Sequence, residues 1–203
     1  MRFVLLAVAL LAGGLLWRRR APAPFPPALT RLLDNPLRRR VLAPARLARE
    51  LELAPGMPVL EIGPGGGLFT EVLLREEPRV RLVCLDVQPA MLRQVRRRTE
   101  GRSPALVCAT ASALPFRDGR FARILLVNVL GEVPDRAGAL GECARVLAPD
   151  GWAAVTESLP DPDYVRPRVL VREAAAAGLR ATGRRGTWAS YTQRLARASG
   201  PGP

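Results

Sequence analysis

The sequence predicts an α/β fold: a mostly parallel, doubly wound sheet of seven strands with an antiparallel hairpin at one edge, preceded by an N-terminal hydrophobic helix. Three observations carry this. From Met57 onward short apolar runs alternate with amphipathic ones, the sequence sign of βαβ units and a parallel sheet. Runs such as "ILLV", Ile124 to Val127, are apolar without interruption, as strands covered on both faces require. Glycines at 63, 65, 66 and 67 separate the first run of strand formers from the first run of helix formers. Glycine destabilises either element by about 0.5–1 kcal/mol relative to alanine, so the cluster marks a junction with a purpose.

Taken in order, the chain opens with an uncharged apolar run from Phe3 to Trp17 followed by Arg18, Arg19 and Arg20. As a helix it would be about 22 Å long at ~1.5 Å per residue, short against a hydrocarbon core of about 30 Å, though snorkelling arginines extend it. "APA" at 21–23 is the rival signal, for cleavage; the arginine triplet before it and Pro24 after it favour a retained anchor over residues 1–20. Arg31, Arg38, Arg39 and Arg40 also follow the run while only Arg2 precedes it, which places the body on the cytoplasmic side. Residues 21–28, "APAPFPPA", read as a proline-rich extended linker, residues 29–198 as one domain, and residues 199–203 as a disordered tail.

Within the domain Leu29 to Leu53 is helical in pattern and interrupted at Pro36 and Pro44. Strands follow at 58–62, 80–86, 105–109, 122–130 and 151–157, with helices at 68–76, 89–100 and 136–147 between them. After a loop at 158–167 come a helix at 168–178 and two strands, 179–184 and 189–196. Only "RGTW" separates those two, so they pair as a hairpin.

Basic residues outnumber acidic ones 31 to 18, for a formal charge of +13, and every basic residue is arginine; the chain has no histidine. Scarce lysine, isoleucine and asparagine beside abundant alanine and proline point to GC-rich codon usage, with nucleic acid and an anionic membrane surface as the functional readings of the same charge. Cys84, Cys108 and Cys143 are odd in number and lack metal-ligand spacing; they read as buried thiols of a reducing compartment, and no metal site is expected.

The glycine cluster has a ligand reading. In open α/β sheets ligands bind outside the carboxyl ends of the strands, where strand order reverses. Gly63 and Gly65 permit a tight turn and close approach to bare backbone, and Gly67 lets the helix start against the sheet. No GK[ST] follows, so a phosphate-cradling Walker loop is excluded. Asp86 closes the second strand about 20 residues on, the spacing at which a carboxylate takes up ribose hydroxyls.

"VLEIGPGGG", "LDVQPAML", "ALPFRDGRFARILLVNVLGEVPD" and "RVLAPDGWAAVTE" resemble, in order and spacing, the motifs of class I S-adenosylmethionine-dependent methyltransferases, closest to the type 11 and ubiquinone–menaquinone branch. The resemblance spans about residues 35 to 195 and implies a Rossmann-like fold with S-adenosylmethionine as cofactor. It implies that Glu61, Gly63, Gly65 and Gly67 hold the amino-acid end, that Asp86 accepts both ribose hydroxyls and that Val87 packs on the adenine. Thr110 and Ala111 lie in the adenine-reading stretch, with Thr110 where the family usually has aspartate. Asn128 is placed at the cofactor edge as a pocket-facing donor or a loop cap. Ala122 and Gly131 depart from a usual aspartate and a frequent histidine.

Methyl transfer from a sulfonium needs orientation more than a catalytic side chain, so no residue is assigned that role outright; Asn128 and Glu132 are the candidates, Glu132 as a base. The segment "NVLG" lacks the pattern of nucleobase amine methylation, and aromatics make up 5% of the chain, which disfavours nucleic acid without excluding it. The apolar N-terminus points to a small-molecule or lipid acceptor at the membrane. The helices before Leu53 and the loop at 158–167 would form an acceptor lid, with Asn35, Tyr164, Trp188 and Tyr191 as wall residues. An RNA methyltransferase and a catalytically inactive scaffold are the alternatives, and the acceptor and oligomeric state stay open at this level.

Overall fold

Strand β1 (Pro58–Ile62) lies in the middle of the parallel part of the sheet, and its alternation builds both cores. Leu60 and Ile62 face one hydrophobic cluster and Val59 the other, as the period of two requires. The computed structural model describes residues 24–27, 36–102 and 104–198. The expected N-terminal helix, Asn35 and the tail at 199–203 lie outside the described residues. Among those described, no helix is long and apolar enough to cross a membrane.

Two short helices, α1 (Pro36–Leu42) and α2 (Pro44–Glu50), precede β1. The helical run is broken before Pro44 as expected, at left-handed Ala43, and Pro44 opens the second helix at a position where a missing N–H is harmless; residues 28–35, before Pro36, lie outside those described. There follow α3 (Leu68–Glu76), β2 (Arg81–Asp86), α4 (Pro89–Arg98), β3 (Ala105–Cys108) and β4 (Phe121–Val127), then α5 (Arg136–Val146) and β5 (Leu147–Ser158). Helix α6 (Pro167–Ala176) and strands β6 (Leu179–Gly186) and β7 (Ser190–Arg197) complete the chain.

The seven strands run in the order β3-β2-β1-β4-β5-β7-β6. All pairings from β3 to β5 are parallel, and β7 joins β5 and β6 antiparallel, as the hairpin expectation has it. Strand order reverses between β1 and β4, the switch point of a doubly wound sheet. Buried residues of α2, α3 and α4 pack on one face, including Leu47, Leu73 and Val95. Those of α5 and α6, including Leu140, Cys143 and Leu170, pack on the other. Cys84 and Cys143 are buried as expected, whereas Cys108 is exposed because it ends the edge strand β3.

Two strands depart furthest from their expected bounds. β4 stops at Val127 rather than Leu130 because Asn128 takes a left-handed backbone, φ 52°, and Leu130–Glu132 closes a 3-10 turn. β5 begins at Leu147, ahead of the expected Gly151: Leu147 pairs with Phe121, the register slips, and pairing resumes at Trp152 with Arg123. Residues 148–151 fill that irregularity, whose first three, "APD", did not announce strand.

The stretch after β3 is fixed from the side by one arginine. Arg145 on α5 donates from Nη1 to the Phe116 carbonyl at 2.7 Å and to Asp118 at 2.7 Å, and from Nη2 to the Leu114 carbonyl at 3.0 Å. Its neighbour Glu142 accepts from the Leu114 N–H at 2.6 Å. Residues 114–118, without regular structure of their own, are thereby held where the chain has returned to the amino edge of the sheet, beside the start of β4.

Phe121 is fully buried at the start of β4 and meets Phe116 edge to face, with ring centroids 4.9 Å apart. Phe121→Ala should therefore lower unfolding free energy by about 3–5 kcal/mol, read as a fall in the urea midpoint at unchanged slope.

Candidate functional site

The carboxyl ends of β1, β2 and β4 converge at the switch point, and each ends on a backbone that ordinary residues avoid or on a carboxylate. After β1, Gly63, Gly65 and Gly67 all adopt left-handed φ, at 66°, 54° and 80°, where a side chain is strained. The Gly63 N–H donates to the Leu85 carbonyl at 2.8 Å, which ties the turn to β2. A Cβ at Gly63 would run into the side chain of Val129, so the turn lies bare under the chain leaving β4. Gly67 caps α3 and packs on the backbone of Val95.

Asp86 ends β2 beside this turn. Its Oδ1 accepts from the Gln88 N–H at 2.8 Å, and Oδ2 takes no hydrogen bond among the described residues, so a carboxylate oxygen is available at the edge. Burial raises its pKa to about 6 against that hydrogen bond. Val87, next to it, is 52% exposed, and an apolar side chain so open beside a carboxylate is suited to pack on a flat ligand. On the far side of β1, the Asn128 N–H donates to Thr156, and its Nδ2 donates to Ser158 Oγ at 2.9 Å. Asn128 thus joins the ends of β4 and β5.

Two expected site residues are turned away from this edge. Glu61 is 3% exposed and points to the α3 side of the sheet, where its Oε2 accepts from Thr70 Oγ1 at 2.6 Å and from the Cys84 thiol at 3.5 Å. It braces the first turn of α3 beneath the glycines instead of entering the cleft. Ala111 is buried in the core that α5 covers. Thr110 is exposed at the end of β3 with its hydroxyl within 3.1 Å of Ser112 Oγ. Gly131, where a histidine is frequent, lies under the Asp163 carbonyl with no room for a Cβ, so the departure follows from the path of the 158–166 loop. Ala122 sits at the opposite end of β4 from the glycine turn.

The loop expected to cover an acceptor is stapled in place. Tyr191 Oη donates to the Val165 carbonyl at 2.6 Å, Tyr164 Oη donates to the Trp188 carbonyl, and the Val165 N–H donates to Glu157 Oε2 at 3.2 Å. Tyr191 is a core residue rather than a wall, at 1% exposed, and Trp188 faces solvent at 74%. Glu157, at the end of β5, is buried with Oε1 unpaired, and burial pushes its pKa up to about 8. A lone carboxylate ending the apolar run "WAAVT" was the sequence signal for it. Gln88 carried none, because its part is set by a distant segment. Among the described residues no group of histidine, cysteine, aspartate and glutamate converges to hold a metal ion.

Residues 60–155 match the model of a methyltransferase domain family. The chain is 40% identical over 94 residues to a malonyl-[acyl-carrier protein] O-methyltransferase of Halorhodospira halophila, covering 46% of this chain and 32% of that protein. It is 37% identical over 114 residues to a demethylmenaquinone methyltransferase of Thermus thermophilus, covering 55% and 51%. The chain thus spans about a third to a half of the length of these relatives. A solved structure of a SAM-dependent methyltransferase from Aquifex aeolicus superposes with a TM-score of 0.76 at 20% identity, over 84% of this chain and 98% of that one, a likeness of fold.

Burial raises the Glu61 pKa from 4.5 to about 7. A carboxyl raised on folding stabilises fully below its unfolded value and loses that contribution as pH climbs through its folded one. Wild type should therefore lose on the order of 3 kcal/mol between pH 4.5 and 8 that Glu61→Gln, which still accepts from Thr70, retains. Urea unfolding of both across that range measures it.

Proposed function

Because this chain carries a methyltransferase domain of the class I, S-adenosylmethionine-dependent family, we propose that it transfers a methyl group from that cofactor to a small, lipophilic acceptor at the cytoplasmic face of a membrane. The observation that carries the cofactor reading is the meeting of three left-handed glycines with Asp86 at the switch point. The donor set fits the group. The left-handed turn has no side chain at Gly65, so a ligand can approach its backbone there, and Asp86 Oδ2 supplies a charged acceptor for ribose hydroxyls. Val87 would face the adenine, and Thr110 with Ser112 would offer hydroxyls at its rim.

When bound, the cofactor supplies a methyl carbon already activated on a sulfonium. The chain's own part is then positioning, worth several kcal/mol of barrier. The Asn128–Ser158 pair fixes the ends of β4 and β5 where an acceptor would stand, and the loop held by Tyr164, Tyr191 and Glu157 excludes water beside it. The lipophilic acceptor and the membrane location are supported by the apolar run at 3–17 with its flanking arginines and by the relatives named for demethylmenaquinone.

Calorimetric titration of S-adenosylmethionine and S-adenosylhomocysteine into the full chain tests the cofactor site. Asp86→Ala should weaken binding ten- to a hundredfold, about 1.4–2.8 kcal/mol, and wild-type affinity should fall as pH drops through about 6 and Asp86 protonates. Folded protein that binds neither compound would end the reading. Turnover of vesicle-borne phenolic acceptors in preference to water-soluble ones would support the lipophilic class, and the reverse preference would remove it.

A further inference from the structure

The proline-rich segment does not stand clear of the body as a linker would. Residues 24–27 lie against the carboxyl edge of the sheet, with Phe25 and Pro27 half-buried. The Phe25 N–H donates to Glu132 Oε2 at 2.9 Å, and the Phe25 carbonyl accepts from Gln88 Nε2 at 2.9 Å. Gln94 Nε2 on α4 donates to the Pro27 carbonyl at 3.0 Å.

The placement of these partners is informative. Gln88 follows the end of β2, and Glu132 follows the end of β4. In the sheet these strands flank β1, so they stand about 10 Å apart, two strand spacings. The N–H and carbonyl of one residue are separated by at most about 4 Å. For both groups of Phe25 to be held, the two side chains must reach toward each other over the end of β1, and the segment must cross there. The end of β1 is the glycine turn. The strap and the carboxylate also share a residue, since Asp86 accepts from the same Gln88 whose side chain holds Phe25.

We infer that residues 24–27 form a further wall of the cofactor cleft, with Gln88 and Glu132 latching Phe25 across it, Gln94 anchoring Pro27, and the three as positioning residues that gate exchange of the cofactor. The inference rests on the cofactor reading above. A ligand lying from Asp86 to the glycine turn passes beneath Phe25, so both entry and exit require the strap to lift. Proline at 24, 26 and 27 limits the conformations open to the lifted segment, so reclosure loses little entropy. A latch of this kind slows both rates while leaving the contacts to the ligand intact.

Stopped-flow association and dissociation of S-adenosylhomocysteine, measured on the full chain and on Gln88→Ala and Gln94→Ala, decides it. The latch predicts that both rates rise roughly 2- to 10-fold in each variant, the range of one or two hydrogen bonds. Hydrogen exchange without ligand should show the Phe25 amide protected in wild type and released in both variants, a readout that needs no cofactor. Unchanged rates in variants that bind S-adenosylhomocysteine would overturn the latch and leave the cofactor reading standing. A faster dissociation with unchanged association would reduce the strap to a contact and overturn the gate. Binding by none of the three proteins would overturn the cofactor reading itself, and this inference with it.

Discussion

The missing side chain at Gly63 is the constraint on which the functional edge depends. Two parallel strands, β1 and β4, end side by side and send their chains in opposite directions. Both chains turn through left-handed backbone, at Gly63 and at Asn128, and Val129 drops into the space that a Cβ at Gly63 would occupy. Nothing bulkier than hydrogen allows that closeness, because packed interiors yield little to overlap. From this contact follow the floor of the cleft, the placement of Asn128 against Thr156 and Ser158, and the overhead path of the loop that presses on Gly131.

Beneath the edge, carboxylates and arginines divide the work of holding irregular chain. Glu61 and Glu157 are taken out of water, and each accepts from a neighbour that must stay in place: Thr70 at the start of α3, and the Val165 amide in the loop. Arginine does the same from the surface. Arg145 gathers two carbonyls and two carboxylates, Arg136 makes a two-pronged pair with Glu173, and Arg123 reaches the Leu51 carbonyl while lying 4.9 Å from the Trp152 ring. A planar fork with five donors suits such multiple tethering, which a point charge on a flexible stem would not. The exclusive use of arginine therefore has a structural expression here, whatever bias in codons favoured it.

Much of this architecture was legible in the chain. The alternation of apolar and amphipathic runs gave seven strands in order, and the brief "RGTW" connection gave the antiparallel hairpin, because local periodicity and short turns are written in neighbouring residues. The glycine turn and Asp86 were legible for the same reason. Glu61 was not, since strand periodicity allowed either face and a glutamate is expected to seek water; only Thr70 and Cys84, brought together by folding, account for its inward course. Tyr191 resembled a pocket wall in sequence and is core, because its hydroxyl finds the Val165 carbonyl and so can be buried. The docking of residues 24–27 was out of reach altogether: Gln88 and Glu132, which hold Phe25, and Gln94, which holds Pro27, lie 63 to 107 residues away and carry no pattern that points back to the segment.

The hairpin that closes the sheet has a consequence for how copies of this chain meet at high concentration. Strand β6 is the outermost strand on one side, and apart from Leu179 all of it is exposed, including Arg180, Arg184 and Arg185. A bare strand edge is a template for pairing with another molecule's strand. Here any such pairing would set rows of like charge against each other at about 5 Å, and the register slip between Ala181 and Gly183 spoils the match of hydrogen bonds as well. On the opposite side β3 offers only the short run Ala105–Cys108. Among the described residues the sheet is open at both ends, and like charge guards the longer of the two edges, with Arg185 also pairing with Glu50 at 3.6 Å.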